Sequence, residues 1–141
     1  MRLVKFRGKP IQMTLPSGEE LLGDFVVGNL ITHKDGVCRI LVPIDGGFEN
    51  YKVSPSTVSQ FTSLYDVSGK EIYEGDILKW DKGRLYVVKF LDGMFYASVK
   101  ECNDGILGGF PLHRLTEYDD AECEIVGNIY DNPNLLKGFV K

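Results

Sequence analysis

Three acidic residues crowd one short stretch of this chain, Glu71, Glu74 and Asp76 within GKEIYEGDILKW. Paired carboxylates can hold Mg²⁺ through oxygen ligands, or divide acid and base roles between a protonated and an ionised member. In an extended segment Glu74 and Asp76 would point the same way. Gly75 breaks such a strand, however, and acids flanking a turn mostly meet solvent or nearby backbone N–H groups. A structural role is therefore expected: Gly69, Glu74, Gly75 and Asp76 hold a sharply folded corner, with Asp66 and Ser68 in its first turn.

Other candidate chemistry is weaker. Asp119, Asp120, Glu122 and Glu124 lack the glycine and alternating ligands of a calcium loop and read as a solvated run. His33 lies beside Lys34-Asp35-Gly36 and His113 beside Pro111, each without a neighbouring Cys or second His. No Gly-x-Ser-x-Gly elbow occurs, and GILGG at Gly105 to Gly109 has neither the spacing nor the following Lys of a phosphate loop. The expectation is no catalytic, cofactor-binding or metal residue, and no enzyme.

Binding residues gather around the same corner. Tyr73, Trp80, Tyr86 and Tyr96 could stack on bases or on a proline-rich peptide, although core packing is expected for most aromatics. Lys79, Lys82, Arg84 and Lys89 form the best phosphate-facing patch, offset by Glu71, Glu74, Asp76 and Asp81. The candidate surface is thus Lys79, Trp80, Lys82, Arg84 and Tyr86. Open strand edges offer a third route, self-association into a homo-oligomer.

The elements that must position these residues read as strands. With 141 residues and 43% hydrophobic content, the chain can bury a core as one domain or two small lobes. Eight Phe and seven Tyr favour pleated surfaces. Sixteen Lys plus Arg against twenty Asp plus Glu give a net charge of −4, which argues against a dominant electrostatic grip on nucleic acid. Three widely spaced cysteines, Cys38, Cys102 and Cys123, indicate neither a disulfide framework nor a zinc knuckle. MRLVKFRGK has no signal-peptide run and no later stretch could span a bilayer, so a soluble cytoplasmic protein, away from membranes, is expected.

In order, the pattern predicts a strand over Arg2 to Arg7 stopped by Gly8 and Pro10, and a turn at Pro16-Ser17-Gly18. A long strand over Leu21 to Thr32, bent at Gly23 and Gly28, follows, closed by Lys34-Asp35-Gly36 onto Val37 to Ile44, and then Phe48 to Val53. Ser54-Pro55-Ser56-Thr57 is the best internal boundary, dividing an N-terminal β lobe, 1–55, from a C-terminal lobe, 56–141. Ser56 or Thr57 could alternatively cap a helical turn through Phe61, and that segment stays open.

Ile77 to Trp80, Arg84 to Leu91 and Met94 to Val99 read as a three-stranded meander with turns at Asp81-Lys82-Gly83 and Asp92-Gly93. Tyr86, Val88 and Phe90 share one face and Leu85 and Val87 the other, as in a small antiparallel barrel or sandwich. Asp92-Gly93 is the strongest hairpin signal, and Gly93→Val is expected to harm folding more than loss of any charged side chain. Glu101 to Glu122 reads as a long loop. CEIVGNIY at Cys123 to Tyr130 restores a strand with a bulge at Gly127, and Asn132-Pro133 caps a short C-terminal helix.

Four stretches taken together carry a resemblance: FRGK at Phe6 to Lys9, GDFVVGNLI at Gly23 to Ile31, SQFTSLYDVSGKEIYEGDIL at Ser59 to Leu78 and EIVGNIYDNPNLL at Glu124 to Leu136. They resemble the YopX family of phage and prophage proteins over nearly the whole chain. The resemblance implies a mostly β protein of mobile elements with an SH3-like C-terminal part, in the cytoplasm of a bacterial host. It transfers no activity, cofactor or functional residue. The expected role is a non-enzymatic accessory protein that binds another macromolecule, a phage or host protein before nucleic acid. Nucleic-acid binding through the Lys79 to Lys89 hairpin and structural homo-oligomerisation are the alternatives.

Overall fold

Along the early strands every second residue turns to one side of a sheet and builds a core there. In the computed structural model, which describes residues 2–80, 83–99, 109–114 and 122–139, the chain divides into two compact units, Met1–Phe61 and Thr62–Lys141. The first contains β1 (Phe6–Gly8), β2 (Ile11–Thr14), β3 (Glu20–Leu22), β4 (Val26–Thr32), β5 (Cys38–Ile44) and β6 (Gly47–Val53). It also holds the start of β7 (Ser59–Tyr65). The order β6-β5-β4-β1-β7 is antiparallel throughout. Cys38 and Ile40 from β5 and Val53 from β6 are buried, packed by Phe6, Val26, Leu30, Val42 and Tyr51 at period-two spacing. Gly28 is required by close approach, because a Cβ there would run into the Leu41 carbonyl of β5.

Two expectations change here. The first strand begins at Phe6, since only Phe6, Arg7 and Gly8 find β4 partners, in Gly28, Val27 and Val26. The stretch from Leu21 to Thr32 is two strands, because β3 turns away to pair with β2, and the Gly23 N–H binds the Pro10 carbonyl at 2.9 Å. That β2–β3 ribbon carried no clear sequence signal. Pro55–Thr57 forms a single 3₁₀ turn, with the Thr57 hydroxyl donating to the Ser54 carbonyl at 2.7 Å, and Ser59 onward is strand rather than helix.

The second unit contains the rest of β7, then β8 (Glu71–Tyr73), β9 (Asp76–Trp80), β10 (Arg84–Leu91), β11 (Met94–Val99), β12 (Gly109–Pro111) and β13 (Glu124–Asn128). Its five-stranded antiparallel sheet has the order β12-β11-β10-β9-β13. The meander occurs as expected, with β10 registered on β9 from Arg84↔Trp80 to Val87↔Ile77 and on β11 from Tyr86↔Val99 to Leu91↔Met94. Both faces of the sheet are covered. Leu78, Tyr86, Val88 and Ala97 pack with Ile72, Leu112 and Cys123 on one side; Ile77 and Val87 pack with Leu136, Leu85 and Val126 on the other. Ile72, Ile77 and Leu78 are fully buried, each contributing about 2 kcal/mol of apolar transfer.

The sheets are open, however: β12 and β13 end the second one, and among the described residues no barrel closes. A shift of register between Ile125 and Gly127 places a bulge where the glycine predicts one. The C-terminal segment Pro133–Phe139 is a 3₁₀ helix rather than an α-helix. The Asp81-Lys82 turn and most of the Glu101 to Glu122 loop, including Gly105, Gly108, Asp119 and Asp120, lie outside the described residues.

Candidate functional site

The corner is built by two buried carboxylates. Asp66 follows β7, and its side chain accepts the Ser68 and Lys70 backbone N–H groups, both at 2.9 Å, on one oxygen. Its other oxygen accepts the Ile125 N–H of β13 at 3.1 Å, across 59 residues of sequence. Backbone bonds from Asp66 to Lys70 and from Gly69 to Asp66 close the same turn. Asp76 opens β9 and is 2% exposed, with Oδ2 accepting the Tyr73 N–H at 2.8 Å. Between them Glu71 accepts the Tyr73 hydroxyl at 3.1 Å.

Gly69, Gly75 and Gly93 all adopt positive φ, at 82°, 82° and 78°. Asp66 and Asp76 thus use their carboxylates to accept backbone N–H groups and stitch the turns. Among the described residues, no group of three or more His, Cys, Asp or Glu could hold a metal ion. The reach of Asp66 to Ile125 went unseen in the sequence, because nothing local marks a partner that distant. Cys123, which precedes β13, is buried; burial first, and the nearby Asp66 charge second, raise its thiol pKa above the ordinary value.

The basic patch separates. Arg84 stands opposite Trp80, on the face of Tyr86, whereas Lys79 stands opposite Leu85, on the other face with Lys89. Lys79 also has Glu124 as its cross-strand partner on β13. Lys82 is outside the described residues. Trp80, half-buried, joins Tyr86 and Phe110 in an aromatic cluster with centroid separations of 5.4 to 6.1 Å. Tyr86 is 2% exposed, so it belongs to the core and offers no ring to a base or peptide. Tyr73 is likewise buried, and among the described residues those singled out in sequence do not gather into a basic, aromatic groove.

A different feature stands nearby. Strand β9 pairs with β10 only as far as Val87, and the Gly75 N–H then binds the Val88 carbonyl at 2.8 Å as the chain turns away. Beyond that point β10 continues through Lys89, Phe90 and Leu91, paired on its other side with Tyr96, Phe95 and Met94. The gap is a notch of about 540 Å³ walled by Val87, Val88, Phe90, Ile129, Pro133 and Leu136, with Glu74, Lys89 and Tyr130 at its margin. Phe90 is 47% exposed, leaning edge-on against Phe95 at 5.0 Å between centroids. The sequence placed Phe90 on the Tyr86 and Val88 face of β10; in the structure its ring is half exposed beside the point where β9 turns away.

Among the described residues no helix is long and apolar enough to cross a membrane. A family model described as YopX protein matches residues 31–137. None of the curated proteins matches the chain. Among solved structures, the crystal structure of protein EF1440 from Enterococcus faecalis is similar in fold, with a TM-score of 0.53 at 20% identity, covering 96% of this chain and 99% of that one.

Proposed function

The chain belongs to the YopX protein family, and on that premise we propose that it is a prophage accessory protein that works by binding another protein, without catalysis. The observation that carries this reading is the notch beside β10, concave and apolar, with a few polar groups at its rim. Of the acids weighed for chemistry, Asp76 accepts the Tyr73 N–H and Glu71 the Tyr73 hydroxyl, which supports a structural use of both. The β9-β10-β11 meander, covered on both faces, supports an SH3-like reading of the second unit. The division of Lys79 and Lys89 from Arg84 weighs against nucleic acid, which needs cations that track one backbone.

The test is capture on the immobilised chain from phage-infected bacteria, followed by reconstitution with the purified partner. A defined complex that survives high salt is expected. Turnover of a generic phosphodiester or ester that Glu74→Gln abolishes would replace this reading with an enzyme. Retention on DNA or RNA at low salt, weakened by Arg84→Ala, would replace it with a nucleic-acid binder. A defined oligomer by light scattering with no foreign partner would make the chain a structural homo-oligomer.

A further inference from the structure

The geometry points to an extended apolar peptide segment of a partner protein, laid against the edge of β10 at Phe90, as the occupant of the notch. Backbone direction carries the argument. In a strand the N–H and C=O of one residue point to the same side, and the side alternates from residue to residue. The Val88 carbonyl points to the β9 side, where it meets Gly75. Phe90, two residues on, therefore directs its own N–H and C=O the same way, into the notch that β9 has vacated. The hairpin agrees: a two-residue turn at Asp92-Gly93 closes on the Leu91↔Met94 pair, which gives Leu91 and Lys89, not Phe90, to β11.

Extended main chain answers such a donor and acceptor side by side, and does so with apolar side chains on both of its faces. A helix has spent those groups internally, and a nucleic acid would meet an apolar wall. The walls suit alternating side chains. Val87, Pro133 and Leu136 flank one face of β10 and Phe90 the other, so successive residues of an added strand each find apolar surface.

This inference rests on the protein-binding reading, and its test is separable from the test of that reading. The probe is the capped peptide acetyl-Lys-Thr-Val-Thr-Val-Thr-Glu-amide, titrated into the ¹⁵N-labelled full chain. Two control peptides carry N-methyl groups on alternate residues, one in each phase. Amide shifts centred on Val88 and Phe90 are expected, with exchange of the Phe90 N–H slowed about tenfold at saturation. One methylated phase should lose binding and the other keep it. Phe90→Thr should weaken the peptide about fivefold, the scale of one partly buried apolar side chain, with its melting temperature retained.

Shifts that are absent or confined to other surfaces, or equal binding by both methylated phases, overturn the inference. A captured partner that binds Phe90→Thr as tightly as the parent excludes the notch while leaving protein binding intact. The absence of any captured partner counts against protein binding itself and leaves the peptide titration to decide the notch.

Discussion

The corner from Asp66 to Asp76 and the notch beside Phe90 lie in one unit and meet at Glu74 and Gly75, but they treat polar groups in opposite ways. At the corner, each buried carboxylate is bonded to backbone N–H groups: Ser68, Lys70 and Ile125 for Asp66, and Tyr73 for Asp76. At the notch, a main-chain pair on Phe90 is aimed outward across an apolar wall. A carboxylate answered from within its own fold is spent on stability. A strand edge left open beside apolar side chains retains capacity for something outside. Acidic residues, the usual advertisement for chemistry, are here the less promising feature.

Asp66→Ala should break the comparison most visibly. It strips the acceptor from three backbone N–H groups, two in the turn and one on β13, and should cost roughly 3 kcal/mol in urea unfolding. A loss below about 0.5 kcal/mol would mean the corner is held by its backbone alone. Gly93→Val comes next. The hairpin turn holds Asp92 at φ 51° and Gly93 at φ 78°, and a β-branched residue in that region costs about 1 to 2 kcal/mol. The sequence expectation ranked this glycine above any charge; the three bonds to Asp66 reverse the order, and the two unfolding curves decide it.

Phe90→Thr should move stability by no more than about 0.5 kcal/mol, since its ring is 47% exposed and threonine suits a strand. A larger loss would make Phe90 a core residue and the notch a packing accident. The subtlest effect is one of pH. With the Cys123 thiol pKa raised in the fold by burial, and by Asp66 after that, the protonated thiol favours the folded state. That contribution is complete below the ordinary thiol value of 9.0 and is lost as pH climbs through the raised one. Urea midpoints followed across that alkaline range should therefore fall less steeply for Cys123→Ala than for the parent chain. Equal slopes would show that the thiol is not linked to folding.

Much of this architecture was legible along the chain because its signals are local. β-Branched and apolar runs between turn residues marked β4 and β5, and alternation the middle strand of the meander; Asp92-Gly93 marked the hairpin, and Gly127 the bulge. The local turn bonds of Asp66 and Asp76 were likewise legible, in the Asp-x-x-Gly and Gly-Asp spacing around them. The failures share one cause, a dependence on partners far away in sequence. Whether Leu21 to Thr32 is one strand or two depends on β2 drawing β3 aside, and whether Tyr86 faces a ligand or the core depends on Phe110 lying over it.

By itself, then, the sequence determined a mostly β chain, its family and the turns at Gly75 and Asp76, because backbone propensity and pleat periodicity act over a few residues. Tertiary structure alone decided that Asp66 reaches Ile125, that Lys79 and Arg84 stand on opposite faces of one sheet, and that β9 stops short of Phe90. Those outcomes depend on register and strand order, which come from contacts between distant segments and leave no local mark.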